Sequence, residues 1–553
     1  MHYLCLHRLS RKVAASESTA NAYASEAAAN RKNLVREPRT CGLRRPGLTA
    51  AMSLFVLAIY LLFPVKDYFF DGIYFAQTIE DSHRLNLFLF HPNHLLYTAT
   101  GYMMYRGTEG VGVHARALDL LVLFNTLMSA LAAAAFMQIL LEVSSSSYLS
   151  CVLTLGFAFS ATWWRYSPNA DAYVPAIFFL IVCFYLILPN HRARPVSLAL
   201  THSLAMLFHQ MTVMFYPVAI AGIWLQGANA PLKQRMRRAA IYTAVAAAVV
   251  ISAYCLVFRL GTGRLPFNEF HHWVMFHDPA VGFEFNFAHS VFHTLHGSAQ
   301  LLFATKLSYA RSELLSKIGL GLAILLGVVS LLQIVRYRGD LARLVNAFRD
   351  ADRVLLLLPA LWIVTFVGFL FFWVPSNQHY RPFYSVPIFL LIAIYWSPYE
   401  HGRGTPRHYR AILLVAAYAL LNFSLLILPL SRPKNTPTLV FAGQMRPLWP
   451  PGTVVYYADY IHTIGDWTMR YFNAQTVWRE ANPGTIPVSD AELEIIYRSG
   501  GTVWFDTTLS DAEEWREPQF ALWLRAHTHP DSLHAIPAHG WNVHFLQIFP
   551  PVR

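Results

Sequence analysis

Long apolar runs alternate with shorter polar segments from residue 47 to about residue 430. A helix needs roughly 20 apolar residues to cross the hydrocarbon core of a bilayer, and about eleven runs approach this length. We predict a span in each of them: 47–65, 117–141, 147–164, 174–189, 196–208, 211–225, 240–258, 317–335, 354–374, 384–397 and 411–430. The fifth and sixth runs are short and meet at His209 and Gln210, which favours a hairpin of two short helices over one long kinked helix.

The two ends of the chain differ from this pattern. Residues 1–46 are basic, rich in Ala and Ser and without an apolar core. This favours a flexible cytoplasmic tail, or a start codon assigned too early, over a transit peptide. The C-terminal pattern predicts a strand at Gly452–Asp459, a helix at Ala491–Arg498 and a strand at Gly501–Asp506. Strands that alternate with helices indicate a small α/β domain at 431–553.

Composition and charge agree with a polytopic membrane protein. Of the 553 residues, 55% are hydrophobic and 13% are charged, whereas a soluble domain carries about 25% charge. The net charge is +12, although residues 431–553 hold nine basic and twelve acidic side chains. The basic excess therefore lies in the N-terminal tail and in the short loops between the apolar runs. Loops rich in Lys and Arg are cytoplasmic. We therefore expect a cytoplasmic N-terminus and an extracytoplasmic C-terminal domain. Because the sequence has no basic stripe interleaved with aromatic residues outside the inner loops, we expect no nucleic-acid partner.

The candidate chemistry lies in the predicted outer loops. In the first loop, 66–116, Asp67 and Asp71 directly follow the first span among aromatic residues, and His91 and His94 come later. An acid at a membrane surface can act as a general base or bind a metal. A solvated helix-capping acid is the alternative.

Two shorter outer loops carry further candidates. The loop 163–173 holds Asp171 among aromatic residues, where the alternative is an aromatic belt with an incidental acid. The loop 375–384 places His379 and Arg381 at the mouth of a span. A guanidinium there could bind a phosphate through two parallel hydrogen bonds, or serve only as an interfacial anchor.

A histidine-rich segment, 259–316, also lies on the predicted outer side. Its histidines are His271, His272, His277, His289, His293 and His296. The last three lie on one face of a helix and could bind zinc. Aromatic neighbours favour an amphipathic helix on the membrane surface instead.

The order of these motifs resembles the GT-C superfamily of integral membrane glycosyltransferases. The nearest branch contains a eukaryotic protein O-mannosyltransferase and uncharacterised bacterial members. Its first outer loop has an Asp-x-Gly-Glu element followed by His-Pro, and here Asp71-Gly72 and His91-Pro92 stand in those places. Because Gly72 follows the acid directly and no Glu comes after it, Asp71 and Asp67 both remain candidates.

Three later motifs extend the resemblance from residue 47 to about residue 430. The segment from Trp164 to Tyr173 matches the second outer loop of the branch, with Asp171 in place of its Glu. His209-Gln210 lies at a turn between two short helices, as in the family, and His379-Tyr380-Arg381 is similar to its late Arg-Tyr element. We therefore expect a GT-C-like α-helical polytopic membrane protein with a C-terminal α/β domain outside the membrane.

The resemblance implies an inverting transfer of sugar from a polyprenyl-phosphate donor to an acceptor hydroxyl on the outer face of a bacterial membrane. The acceptor would be a protein, a lipid or a glycan. Asp71 or Asp67 would act as the base. Asp171 would orient the acceptor or hold a divalent cation, and no other cofactor is implied. Arg381, assisted by His209, would neutralise the lipid phosphate. The remaining substrate-binding candidates are His91, His94, Tyr173, Gln210 and His379.

Two other functions remain open on the sequence. A transporter or lipid flippase would place polar residues at the midplane in broken helices, whereas these spans are almost free of charge. A non-catalytic membrane partner is the second alternative. Convergence of Asp71, Asp171 and Arg381 on one cavity would favour the enzyme.

Overall fold

The computed structural model is mainly helical and ends in a small mixed sheet. It describes residues 45–226, 228, 230–275, 282–304, 313–336, 353–400, 408–457, 464–481, 486–506, 518–529, 531, 533–535 and 544–551. Most of the predicted basic tail, residues 1–44, lies outside the described residues, as do His277 and much of two predicted cytoplasmic loops. The predicted orientation and the division at 1–46, 47–430 and 431–553 therefore stay predictions.

The helical body contains sixteen labelled α-helices within the described residues. The first eight are α1 Pro46–Leu62, α2 Phe70–Asp81, α3 Tyr97–Gly110, α4 Ala117–Ser144, α5 Ser147–Ala158, α6 Ala161–Tyr166, α7 Tyr173–Leu186 and α8 Pro195–Phe208. The next eight are α9 Tyr216–Gln226, α10 Leu232–Thr262, α11 Phe267–Val274, α12 Phe287–Leu302, α13 Leu314–Arg336, α14 Arg353–Phe372, α15 Ser385–Glu400 and α16 His408–Asn422. One π-helical turn, Phe423–Ile427, carries α16 on to Leu430.

Every predicted span contains a helix, but the helices differ in length. Among the described residues, five are long and apolar enough to cross a membrane: Ala117–Ser144, Leu232–Thr262, Leu314–Gln333, Val354–Phe372 and Ala411–Leu430. Other predicted spans, such as Ser147–Ala158 and Pro195–Phe208, are apolar helices of ten to seventeen residues. The polytopic helical class is confirmed, whereas the count of about eleven spans is not.

The predicted hairpin at His209 is present. His209 has extended backbone angles, φ −159° and ψ 118°, and ends α8. A 3-10 turn, Gln210–Phe215, follows. At the far end of α9, the Gln226 amide donates to the carbonyls of Leu186 at 2.7 Å and Leu188 at 2.9 Å, close to where α8 begins. The chain therefore turns back on itself at His209.

The C-terminal unit is built on five short strands: β1 Val454–Tyr457, β2 Val477–Glu480, β3 Val503–Asp506, β4 Leu533–Ala535 and β5 His544–Ile548. The sheet order is β2-β1-β3-β5-β4, with β2, β1 and β3 parallel and the last two antiparallel. Its helices are α17 Pro437–Met445, α18 Ile464–Phe472, α19 Asp490–Arg498 and α20 Pro518–Ala526. The predicted strands and helix correspond to β1, β3 and α19; Asp459 lies outside the described residues.

Alternating side chains give the sheet a core on each face. Val454 and Val503 pack with Leu493 of α19, while Val455 and Trp504 pack on the opposite face. The edge strand β2 lacks this pattern, since Val477 is 47% exposed, which is why sequence reasoning missed it.

Candidate active site

The first turn of α2 packs directly on the loop between α6 and α7. A Cβ added to Gly72 would lie 2.2 Å from the carbonyl oxygen of Ala170, so only glycine allows this approach. The contact brings Asp71 beside Asp171, close enough for the charge of Asp71 to raise the pKa of Asp171. Two acids that lie 100 residues apart in the chain thus share one site.

We expect Gly72→Ala to destabilise the fold by about 1–3 kcal/mol, the usual effect of overpacking. The reason is the 2.2 Å clash with Ala170, which would push α2 off its partner loop. Thermal unfolding of the purified protein measures the change. Gly107→Ala, also in a helix but with no atom within 4 Å of an added Cβ, is the matched control. Equal unfolding temperatures for Gly72→Ala and wild type would contradict the close packing.

Asp71 is a half-buried acid without a partner among the described residues: neither a hydrogen bond nor an ion pair reaches its carboxylate. Burial raises its pKa to about 7. An unpaired carboxylate with a pKa near neutrality is both available to a substrate and basic enough to accept a proton from it.

Asp171 is more deeply buried, at 4% exposure. Its Oδ1 accepts a hydrogen bond from the Tyr173 amide at 3.2 Å, and Asn125 donates to its backbone carbonyl at 2.6 Å. Its Oδ2 has no partner among the described residues. Burial raises the pKa of Asp171 well above its usual value despite the Tyr173 hydrogen bond, and Asp71 adds to the rise. The loop is therefore rigidly held, while one carboxyl oxygen is left for a ligand.

Asp67, the alternative base, is already engaged. Its Oδ2 lies 2.6 Å from a terminal guanidinium nitrogen of Arg165, and its backbone carbonyl accepts from Asn169 at 3.0 Å. A carboxylate oxygen that is engaged in an ion pair is less available to a substrate hydroxyl than an unpaired one. The geometry therefore favours Asp71 over Asp67.

Three predicted substrate-binding residues line the same region. The ring centroids of His94 and His209 are 4.6 Å apart, and that of Tyr173 lies 4.9 Å from His209. Burial lowers the pKa of His209 to about 3, with a contribution from His91, so its ring is neutral. Its Nδ1 accepts from the Met211 amide at 3.1 Å, which leaves the proton on Nε2. This Nε2–H has no partner in the described part of the chain.

His91 and Gln210 support this cluster. The His91 ring lies 5.5 Å from that of His94, and burial lowers its pKa to about 4. The Gln210 amide donates to the carbonyls of Pro92 at 2.9 Å and Val274 at 3.2 Å. Gln210 thus links the α8–α9 turn to the 3-10 turn that begins at Pro92 and to the end of α11.

Tyr380 is a site residue that sequence reasoning missed. Its ring lies 5.4 Å from Tyr173 and 5.8 Å from His209. Burial raises its pKa to about 12, and the charges of Asp71 and Asp171 contribute to the shift. The tyrosine therefore lies close enough to both acids for their charges to affect it. In an aromatic-rich loop, only its place between His379 and Arg381 could have distinguished it.

Arg381 is held by hydrogen bonds to neighbouring carbonyls and to a tyrosine hydroxyl. Its guanidinium donates to the His293 carbonyl at 2.8 Å, to the Tyr384 hydroxyl at 2.9 Å and to the Pro375 carbonyl. It forms no ion pair with an acid in the described part of the chain, and its Nε–H has no partner there. Gly297 makes room for it, since an added Cβ would lie 2.0 Å from the Nε. Arg381 thus anchors the 381–384 turn to α12, and no hydrogen bond or ion pair in the described part of the chain joins it to Asp71 or Asp171. The convergence of these three residues on one cavity stays a prediction.

Arg165 supplies a cation that the sequence analysis did not select. It lines an open depression together with Gln300 and Gln378, whose side chains hydrogen-bond to each other. The depression is walled by Ala161, Thr162, Tyr166, Phe303, Ala304, Leu426 and Leu430. Its signal in the sequence was a basic residue within the Trp163-Trp164-Arg165 motif of the loop that carries Asp171.

Tyr166 lies close to both the depression and the acids. It lines the depression, and its ring lies 5.1 Å from that of His379. Burial raises its pKa, and the charges of Asp171 and Asp67 contribute in the same direction. Burial also lowers the pKa of His379 to about 3. The cationic depression and the acid pair are therefore adjacent.

The last three histidines of the histidine-rich segment, His289, His293 and His296, lie on α12. On α12, His289 lies 3.2 Å from Glu284 and its ring is 4.1 Å from that of His293. Nowhere in the described residues do three or more His, Cys, Asp or Glu side chains group as metal ligands. Phe285 is 81% exposed and Leu295 is 68% exposed, so an apolar surface accompanies the histidines.

Solved structures with a similar fold are known. ArnT from Cupriavidus metallidurans bound to undecaprenyl phosphate matches with a TM-score of 0.53 and 12% identity, over 90% of this chain and 97% of that chain. The apo state of the same protein matches with a TM-score of 0.52, 12% identity and the same coverage. The chain shares the ArnT fold. Because ArnT is a GT-C glycosyltransferase, the fold that the motifs predicted is confirmed. No protein-family model matches the chain, and no curated protein does.

Proposed function

We propose that the protein is a membrane glycosyltransferase that moves a sugar from a polyprenyl-phosphate donor to an acceptor hydroxyl, with inversion. The observation that carries this proposal is the unpaired Asp71 carboxylate, which lies next to Asp171. The loop region that carries Asp171 also carries Arg165, which lines the depression. The ArnT protein of the same fold binds undecaprenyl phosphate. A membrane transferase needs this combination of a base, a phosphate-binding cation and an apolar wall.

The two acids have different tasks in this proposal. Asp71 takes the proton from the acceptor hydroxyl as the hydroxyl attacks the anomeric carbon. The bond from that carbon to the phosphate oxygen breaks, and the polyprenyl phosphate leaves with the bonding electrons. Asp171, whose Oδ2 has no partner among the described residues, holds the acceptor by a hydrogen bond. The raised pKa of Asp171 allows it to be protonated while Asp71 is ionised, because neighbouring carboxylates resist double ionisation.

The donor phosphate binds at Arg165 in this proposal. A guanidinium has five N–H donors in a fixed fork whose geometry matches a phosphate. One terminal nitrogen of Arg165 contacts Asp67 at 2.6 Å, and the same side chain lines the depression. Phe303, Leu426 and Leu430 offer an apolar wall for the first isoprene units. The resemblance suggested Arg381 as the phosphate ligand. Within the described residues, its terminal nitrogens already donate hydrogen bonds and only its Nε–H has no partner, so Arg381 could bind a phosphate only through Nε–H.

A divalent cation could take part at the same acids. Asp71 and Asp171 would supply two carboxylate ligands, and hard cations such as Mg²⁺ are often held by one or two carboxylates plus substrate phosphates. In this proposal, the reaction runs on the outer face of the membrane, with the N-terminus cytoplasmic and the C-terminal unit extracytoplasmic. The loop charges support that direction.

The kcat/KM of transfer should fall about tenfold for each pH unit below about pH 7. Asp71 acts only when ionised, and burial has raised its pKa to about 7, so acid removes the active form. A pH profile between about pH 5 and about pH 9 measures this. Asp67→Asn should keep the same acid limb. A profile that stays flat down to about pH 5 would remove Asp71 as the base.

In vitro transfer tests the function directly. Purified protein is given a panel of polyprenyl-phosphate sugars with envelope extract as acceptor, and release of polyprenyl phosphate is followed. Release that requires Asp71 would identify the enzyme class and the sugar. Folded protein that releases nothing from any donor would favour the transporter or flippase.

A further inference from the structure

One helix of the C-terminal unit, α18, belongs to two cores. Met469 is buried among residues of the sheet's core, including Trp449 and Trp504. Tyr471, two residues later, is 3% exposed and belongs to the core of the helical body. Residues two positions apart point to different sides of a helix, so α18 joins the C-terminal unit to the body.

Tyr471 makes four contacts with the body. Its hydroxyl donates to Glu80 Oε1 at 2.7 Å and accepts from the Leu118 amide at 3.2 Å. The Arg116 guanidinium lies 4.0 Å from the centre of its ring, and Arg116 also donates to its backbone carbonyl at 3.0 Å. Both the polar and the aromatic parts of this side chain are therefore engaged.

These partners lie where two helices of the body meet. Glu80 is in the last turn of α2, and Arg116 directly precedes α4. Glu80 accepts from the Ala117 amide at 2.9 Å and pairs with Arg116 at 2.9 Å. Glu80, Arg116 and Tyr471 thus form a clamp that fixes the end of α2 to the start of α4.

The same helix also reaches the other end of α2. The ring of Trp467 lies 5.2 Å from that of Tyr74 and nearly perpendicular to it. Tyr74 is one turn after Asp71 in α2. Burial raises the pKa of Tyr74, and the charge of Asp71 contributes in the same direction. A single helix of the C-terminal unit therefore contacts α2 beside the acid and at its far end.

We infer that Tyr471 is a positioning residue. Through the clamp it holds α2 in place and so keeps the Asp71 carboxylate against the loop that carries Asp171. The inference rests on the proposed function for its catalytic readout. It makes the C-terminal unit part of the transfer machinery.

The test compares two tyrosine hydroxyls in the same unit. Tyr471→Phe keeps the ring but removes the bonds to Glu80 and Leu118. Tyr497→Phe is the matched control, because its hydroxyl donates to Ile548 within the sheet at 2.7 Å. We expect Tyr471→Phe to lower kcat roughly tenfold with KM unchanged, within the range that a misplaced reacting group produces. Tyr497→Phe should leave both parameters unchanged.

A measurement that does not require catalysis separates the positioning role of Tyr471 from the proposed transferase function. Backbone amides of residues 70–81 should exchange hydrogen faster in Tyr471→Phe than in Tyr497→Phe, since the clamp is weakened. Faster exchange supports the clamp even if the wild type turns over no donor, which would overturn only the proposed function. Unchanged exchange, or faster exchange with unchanged kcat in an active enzyme, would overturn the positioning role.

Discussion

Replacing Asp71 with Asn should reduce sugar transfer by roughly 10²–10⁴-fold, the usual contribution of a general base. The amide keeps the size of the carboxylate but cannot accept the acceptor's proton. The folded protein should be at least as stable as wild type, because the substitution removes a carboxylate whose pKa burial has raised to about 7. A variant that loses activity but keeps its stability is typical of substitution at a catalytic residue.

Polyprenyl-phosphate release and thermal unfolding, measured on the same preparations, check both parts of this expectation. Asp67→Asn is the control, since it removes an equivalent carboxylate that is paired with Arg165. A partly exposed ion pair contributes about 1 kcal/mol or less, so this variant should fold and transfer nearly normally. Full transfer by Asp71→Asn, or an equal loss in Asp67→Asn, would refute the assignment of the base.

Replacing Arg165 with Gln should reduce kcat roughly 10²–10³-fold, in line with the loss of a donor that stabilises developing charge. The leaving phosphate gains negative charge in the transition state, and Arg165 is the cation that lines the depression beside the acids. Arg165→Lys should restore transfer only in part, because an ammonium cannot bind two phosphate oxygens in parallel.

The loss of the ion pair with Asp67 is a competing explanation for such a result. Asp67→Asn breaks the same 2.6 Å contact while it leaves the guanidinium in place. If Asp67→Asn lowers kcat as far as Arg165→Gln does, the pair is structural and the phosphate assignment fails. If only Arg165→Gln is impaired, and its affinity for undecaprenyl phosphate falls as well, the guanidinium contacts the donor.

Some features of the site could be predicted because they are local in the chain. Asp71 follows an apolar run, and Asp171 lies in a short aromatic loop between two such runs, so both were placed at helix ends. The turn at His209 was predicted because two short apolar runs meet there. Tyr380 was not selected, because its role depends on Tyr173 and His209, which approach it only in the folded chain.

Choosing among the charged residues required the fold. Asp67 and Asp71 are equivalent in sequence, and Arg165, 98 residues from Asp67, distinguishes them by pairing with one. The motif that contains Arg381 does not reveal that its guanidinium binds the His293 carbonyl of α12 in the space that Gly297 leaves. Long-range contacts of this kind leave no periodic signal.

The sequence by itself determined the helical membrane body and the change of character after residue 430, because hydrophobic burial and backbone hydrogen bonding act along each segment separately. The tertiary structure alone decided which acid is unpaired, which arginine lies beside the acids and how the C-terminal unit meets α2. The bond between Tyr471 and Glu80 spans 391 residues. Such contacts depend on how complete elements pack, and short-range patterns along the chain carry no record of that packing.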